Sequence, residues 1–97
     1  MPEISGEKMT EAEIQSALDG LPDWNEVGGE LQRTYQFADF AASMKFVNRV
    51  AEAAERAAHH PDILIRYNKV TLTLSTHDAG GITAKDFDLA GRANGFV

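Results

Sequence analysis

The segment ILIRYNKVTLTLS, residues 63–75, contains the clearest β-hairpin pattern in the chain. Apolar side chains alternate along both halves, which is the period of a half-buried strand. We interpret Asn68-Lys69 as a two-residue turn, because Asn tolerates the left-handed conformation found in such turns. This turn predicts a register in which Tyr67 faces Val70, and it assigns Tyr67 to the core.

A second hairpin is predicted in DWNEVGGELQRTYQF, residues 23–37. Gly28-Gly29 supplies the positive φ angles that a two-residue turn requires. The strand after this turn has an apolar face, formed by Leu31, Tyr35 and Phe37. The chain therefore carries two antiparallel strand pairs.

Three helices are predicted around the two hairpins. Thr10 and Glu13 form a capping box that begins a short first helix. The longest helix spans residues 39–59, and Pro61 ends it because proline disfavours helical geometry in the residue before it. The last helix begins at Thr83.

The element order is therefore α-β-β-α-β-β-α. This order predicts an α+β fold, in which a four-stranded antiparallel sheet is covered on one face by three helices. A chain of 97 residues is long enough for one compact domain, which we assign to residues 1–97. Residues 1–9 show no periodicity and are expected to be flexible.

Composition excludes several classes of protein. The net charge of −6 disfavours nucleic acid and an anionic membrane as direct partners. Cysteine is absent, which excludes disulfides and thiolate-bound metals. No apolar run approaches the ~18 residues of a membrane span, and no signal peptide is recognisable, so a cytoplasmic location is expected.

All three histidines are predicted to lie close together. The segment AERAAHHPDI, residues 54–63, places His59 and His60 at the end of the longest helix. Extending the predicted register of the second hairpin sets His60 opposite His77, where Cβ atoms are ~5 Å apart. Glu55 lies one turn before His59, at a spacing where helical side chains meet. A single histidine at a helix end is usually a partner of the helix dipole, but three together favour a functional site.

Acid–base catalysis is the chemistry that these residues favour. Three histidines with a carboxylate could bind zinc, but adjacent His59-His60 lacks the i, i+4 spacing of helical metal ligands. A Ser75–His77–Asp78 triad is disfavoured, because neighbouring strand residues point to opposite faces. Histidine titrates near neutral pH and can both donate and accept protons. We therefore expect a site without a metal or a cofactor.

The spacing of these residues resembles the signature of the pterin-4a-carbinolamine dehydratase family. The signature runs Glu55, three residues, His59-His60-Pro61, five residues, Tyr67, nine residues, His77, eight residues, Asp86. The resemblance covers nearly the whole chain. It implies dehydration of a 4a-hydroxytetrahydropterin, the product of aromatic amino acid hydroxylases, to quinonoid dihydropterin.

The resemblance also implies a role for each catalytic residue. It makes His59 and His77 the acid–base pair, while His60 binds and orients the pterin. Glu55 orients His59 or tunes its charge, or alternatively is a solvated helix residue. A hydroxide leaving group has to be protonated as it departs, and a second proton has to be removed from the pterin, so two such groups fit the reaction.

Further residues are candidates for substrate binding. Pro61 follows the histidine pair, and its alternative role is to end the helix. Asp78 begins the glycine-rich loop after His77. Asp86 ends the signature, and its alternative role is a capping box with Thr83.

The expected partners also follow from the resemblance. A pterin is the expected substrate, an aromatic amino acid hydroxylase is a functional partner, and the chain is expected to form a homodimer or homotetramer. The second apolar stripe of the longest helix is a candidate contact between copies, with burial against the first or last helix of the same chain as the alternative: Phe46, Val50, Ala53 and Ala57.

Other functions remain open at this point. The same fold could serve as a non-catalytic binding module, since some relatives are dimerisation cofactors of a homeodomain transcription factor. Another pterin pathway, such as molybdopterin metabolism, is also compatible with the signature. A metal-binding protein is a third alternative. The complete set of signature residues favours catalysis, because a pure binding module has no need of them.

Overall fold

The computed structural model describes residues 4–97. It confirms the predicted element order and the α+β fold, with the following bounds: α1 (Glu11–Leu18), β1 (Asn25–Val27), β2 (Glu30–Gln36), α2 (Phe40–Ala57), β3 (Asp62–Arg66), β4 (Lys69–Leu74), a 3₁₀ turn (His77–Ala79) and α3 (Ala84–Asn94). Of the segment predicted to be flexible, residues 1–3 lie outside the described residues. The amide of Met9 donates to the carbonyl of Ile82 at 2.8 Å, which ties the end of this segment to the loop before α3.

The four strands form one antiparallel sheet in the order β1-β2-β4-β3. The face toward the helices is apolar and fully buried along the two central strands: Leu31, Tyr35, Val70, Leu72 and Leu74. On the opposite face, polar side chains pair across the strands, as in the 2.8 Å contact between the hydroxyls of Thr34 and Thr71. The predicted catalytic residues accordingly lie outside the sheet, in the segments before β3 and after β4.

The register of the second hairpin differs from the prediction by two residues. Arg66 pairs with Lys69, so the turn is Tyr67-Asn68 and not Asn68-Lys69. Asn68 is held by Phe37, whose carbonyl accepts from the Asn68 side chain at 3.0 Å and whose amide donates to the Asn68 carbonyl at 2.8 Å. Tyr67 adopts a φ of 54° in this turn. The prediction that Tyr67 belongs to the core is wrong, since it is 66% exposed.

A slip of two residues keeps each side chain on its predicted face, because the side-chain period of a strand is two. Ile63 and Ile65 therefore still face the helices, and they pair with Leu72 and Val70. The slip does remove the argument that placed His60 opposite His77. That predicted pairing is wrong, because its register is not the one formed.

Helix α2 ends at Ala57, before the predicted boundary. Ala58 adopts the left-handed conformation with a φ of 50°. The amide of His59 donates back to the carbonyl of Ala54 at 3.0 Å, which closes the helix end in the manner of a Schellman motif. His59 therefore lies outside the helix, and the prediction that the helix extends to residue 59 is wrong.

The second apolar stripe of α2 belongs to the core of the same chain. Phe46 is 2% exposed and Val50 is fully buried. The ring of Phe46 lies 4.5 Å from the ring of Tyr35 and 5.0 Å from that of Phe37, measured between centroids. The prediction that this stripe joins copies of the chain is therefore wrong. Phe46 and Val50 are buried within the chain, and Phe46 packs on Tyr35 and Phe37 rather than on the first or last helix alone. Ala57, the last residue of the stripe, is exposed.

Candidate active site

A buried carboxylate at the start of α3 holds His59 in place. Asp86 is fully buried, and its Oδ2 accepts from the amide of Thr83 at 2.8 Å and from the hydroxyl of Thr76 at 2.9 Å. Its Oδ1 accepts from Nε2 of His59 at 2.5 Å. The predicted capping role of Asp86 is confirmed, and the same side chain also binds a predicted catalytic residue.

The loop between β4 and α3 brings these groups together. The amide of Thr76 donates to the carbonyl of Gly81 at 2.9 Å, so residues 77–80 form a closed excursion from the sheet. The hydroxyls of Thr76 and Thr83 lie 2.7 Å apart. The first turn of α3 therefore lies directly at the end of β4. From there it is within hydrogen-bonding distance of His59, the second residue after α2.

His59 is largely enclosed by these contacts. Its side chain is 11% exposed, and Asp86 occupies its Nε2. A carboxylate acceptor favours the tautomer that carries its hydrogen on Nε2, which leaves the Nδ1 lone pair for proton exchange. The arrangement thus supplies an imidazole with a defined orientation and one reactive nitrogen.

Glu55 contacts His60 and not His59. Its Oε1 lies 3.1 Å from Nε2 of His60, and both side chains are largely exposed. The prediction of a Glu55–His59 contact is wrong, because the left-handed Ala58 turns His59 away from α2 toward Asp86. An exposed contact of this kind contributes only ~0–1 kcal/mol to the stability of the fold. Its main effect is therefore on the position of the His60 side chain.

Within residues 4–97, the side chain of His77 is hydrogen-bonded to neither of the other two histidines. His77 is exposed and begins the 3₁₀ turn, and within residues 4–97 its side chain has no hydrogen bond or ion pair. It directly follows Thr76, which is joined to His59 through Asp86. Among the described residues, His77 is thus connected to His59 only as the backbone neighbour of Thr76, and its own side chain takes no part in the network.

The remaining predicted binding residues lie on the same two loops. Asp78 is exposed and follows His77 in the 3₁₀ turn. Pro61 is half-buried and directly precedes β3. Within the described residues, neither side chain forms a hydrogen bond or an ion pair that assigns it a role.

A cavity of about 430 Å³ opens beside His59, between the end of α2 and one side of α3. Sites for small organic molecules commonly have volumes of about 300–1,000 Å³. The sequence prediction missed the residues that give this cavity its charge, Arg56, Lys85 and Arg92. It also missed Thr76, although its position directly before His77 was a usable signal.

Within the described part of the chain, residues 4–97, no group of three or more His, Cys, Asp or Glu side chains is arranged to hold a metal ion. No helix in the same range is long and apolar enough to cross a membrane.

Comparisons with known proteins identify the family. The profile described as pterin 4 alpha carbinolamine dehydratase matches residues 7–96. The chain belongs to the pterin-4a-carbinolamine dehydratase family, as the sequence signature predicts. A protein of Cyanothece sp. (strain PCC 7425 / ATCC 29141), provisionally named pterin-4-alpha-carbinolamine dehydratase, is 58% identical over 82 residues, which are 84% of this chain and 84% of that protein.

Solved structures agree with this assignment. A crystal structure of a transcriptional coactivator/pterin dehydratase from Brucella melitensis has a TM-score of 0.89 and 34% identity, and the match covers 92% of this chain and 97% of that one. A pterin dehydratase-like protein described as a RuBisCO assembly factor in the alpha-carboxysome has a TM-score of 0.66 and 23% identity, over 76% of this chain and 88% of that one. This second likeness concerns the fold alone.

Proposed function

We propose that the chain dehydrates a 4a-hydroxytetrahydropterin to quinonoid dihydropterin by histidine acid–base catalysis. The observation that carries the proposal is the enclosed His59–Asp86 pair beside a cavity of about 430 Å³. Membership of the dehydratase family supports the choice of substrate. No metal or cofactor takes part in the proposed reaction.

The reaction moves two protons. The substrate carries a hydroxyl on C4a and a hydrogen on N5. One histidine protonates the hydroxyl as the C4a–O bond breaks, and the oxygen leaves as water. The other histidine removes the proton from N5, and the electron pair left on N5 forms the C4a=N5 double bond. Solvent then restores both histidines to their starting protonation states.

His59 and His77 form the acid–base pair in this proposal. His59 is held by Asp86, so its reactive nitrogen is oriented before the substrate arrives. His77 is exposed and therefore accessible to a ligand. His60, positioned by Glu55, binds the pterin ring. Pro61 and Asp78 complete the proposed binding surface.

The test is a stopped-flow assay of dehydration, with 4a-hydroxytetrahydropterin generated by an aromatic amino acid hydroxylase. The protein should accelerate the appearance of quinonoid dihydropterin over the spontaneous rate, and His59→Ala should abolish most of the acceleration. Lys45→Gln is a matched control, since Lys45 is an exposed residue of α2 away from His59. A wild-type rate equal to the spontaneous rate would contradict the proposal.

A non-catalytic binding role is the second candidate. It is favoured by the description of the Brucella melitensis relative as both a transcriptional coactivator and a pterin dehydratase. A pure binding surface does not require a buried carboxylate that orients a histidine, so the His59–Asp86 pair favours catalysis. The same assay separates the two, because a binding module would leave the dehydration rate at its spontaneous value.

The proposal includes a cellular setting and a quaternary structure. A cytoplasmic aromatic amino acid hydroxylase supplies the substrate, and the chain forms a homodimer or homotetramer. Strand β3 is a candidate contact, because it is an edge strand whose Leu64 is 55% exposed. Sedimentation velocity at micromolar concentration should show an oligomer that Leu64→Asp weakens. A monomer in the wild type would contradict this part.

A further inference from the structure

The cavity beside His59 has the opposite charge to the protein as a whole. Arg56, Lys85 and Arg92 line it together with a single carboxylate, Asp88. The chain has nine Lys and Arg residues and a net charge of −6. A third of its basic residues therefore lies around one cavity, although the overall charge would repel an anion.

The three cations come from two helices that meet at this point. Arg56 lies in the last turn of α2, and Lys85 and Arg92 lie on α3. Within residues 4–97, Arg56 and Lys85 form no ion pair. Arg92 uses its Nε to donate to Asp88 at 3.0 Å, so the two Nη groups of its guanidinium remain available.

The charge exceeds what an unsubstituted pterin requires. The pterin ring is uncharged at neutral pH, and its ring atoms would be served by His59 and His60. Three cations around one space are suited to an oxyanion, because guanidinium and ammonium groups form short, charge-assisted hydrogen bonds to phosphate oxygens.

We propose that the cavity binds a phosphate group carried on the side chain of the pterin at His59. The inference rests on the proposed function and names its substrate class, a pterin with a phosphorylated side chain. Arg56 and Lys85 bind the phosphate, and Arg92 contributes through its Nη groups. His59 lines the same cavity, so one ligand can occupy both places.

Calorimetric titration tests the proposal with three ligands that undergo no turnover: 6-hydroxymethylpterin, its phosphate monoester, and inorganic phosphate. The monoester should bind at least about tenfold more tightly than the parent pterin, since one strong charge-assisted contact is worth about that factor. The preference should weaken as salt is raised. Arg56→Gln and Lys85→Gln should each reduce it, whereas Lys45→Gln, which removes the same charge elsewhere on the surface, should not.

Each outcome has a definite meaning. Equal binding of the two pterins overturns the inference and leaves the proposed function intact. Failure of both pterins to bind overturns the inference, and the stopped-flow assay then decides separately whether the proposed function stands. If inorganic phosphate binds as tightly as the monoester, the cavity is a site for a free anion and the linked ligand is refuted. Circular dichroism of the variants verifies that they are folded.

Discussion

Oδ1 of Asp86 accepts a hydrogen bond of 2.5 Å from Nε2 of His59, although the two residues are 27 positions apart in the sequence. The other oxygen of the same carboxylate caps α3 through the amide of Thr83. One side chain therefore joins the start of a helix, the end of a strand and the proposed catalytic base or acid. Changes at Asp86 should affect stability and activity together.

Asp86→Asn should lower both the free energy of unfolding and the dehydration rate. An amide turns one of its two acceptor atoms into a donor, and a buried group that loses its partner costs ~1–3 kcal/mol. The loss of orientation at His59 should lower kcat by at least about tenfold. Urea denaturation and stopped-flow kinetics measure the two effects, and the pH profile of kcat should change with the environment of His59.

Thr10→Ala provides the control for this prediction, because Thr10 forms the equivalent capping box on α1 without contacting the site. It should lower the free energy of unfolding by about 1 kcal/mol and leave kcat unchanged. If Asp86→Asn likewise lowered the free energy of unfolding and left kcat unchanged, Asp86 would only cap α3 and would have no role in catalysis.

Substitution of His59 and of His77 should reveal groups that act in one step. Each change to Ala should lower the single-turnover rate by ~10²–10⁴-fold. The double variant should lose much less than the product of the two losses, because residues that share one transition state are not additive. His60→Ala should instead weaken pterin binding more than it slows the bound complex. A near-normal rate in either single variant of the pair would remove that residue from the mechanism.

Ala58→Gly should stabilise the protein. A left-handed conformation costs a non-glycine residue ~1–2 kcal/mol, and the greater entropy of unfolded glycine offsets part of that gain by ~0.5–1 kcal/mol. The midpoint of urea denaturation should therefore rise. Ala51→Gly, in the exposed middle of α2, should lower the free energy of unfolding by about 1 kcal/mol relative to wild type. Destabilisation by both changes would indicate that Ala58 is not left-handed in solution.

Alkaline pH should destabilise the protein through Tyr35. Burial of its ring raises the pKa of the phenol, although the nearby Arg33 opposes this shift. Because the folded state resists deprotonation, the stabilisation is complete below the ordinary tyrosine pKa of about 10 and is lost as the pH rises above it. In a Tyr67→Phe background Tyr35 is the last tyrosine, so tyrosinate absorbance reports it alone. Absorbance that rises before unfolding is detected by circular dichroism would contradict the prediction.

The element order was predictable because its signals are local. Capping boxes at Thr10 and Thr83, alternation along the strands and the Gly28-Gly29 turn each involve only a few neighbouring residues. The second hairpin turn was misplaced because its position depends on a distant contact. Asn68 bonds to Phe37 of the preceding hairpin, and this contact places Tyr67 in a conformation that its own preference disfavours.

The residues of the proposed site could be named from the sequence, but the contacts between them could not. The signature identified Glu55, His59, His60 and Asp86, but paired Glu55 with the wrong histidine. The pairing depends on Ala58, since alanine rarely adopts a left-handed conformation and no sequence rule indicates it here. The basic cavity was equally hidden, because Arg56 and Lys85 come together only when α2 and α3 pack.

The loop of residues 77–80 connects the proposed ligand site to the start of α3. Its two ends, at Thr76 and Gly81, are joined by a backbone bridge, and the Asp86 network lies directly behind that bridge. Asp86 contacts both His59 and the amide of Thr83, so a ligand that stabilises the His59–Asp86 contact should also stabilise the first turn of α3. Ligand binding should then slow the local opening of that turn, so the loop of residues 77–80 would couple ligand binding to the stability of α3.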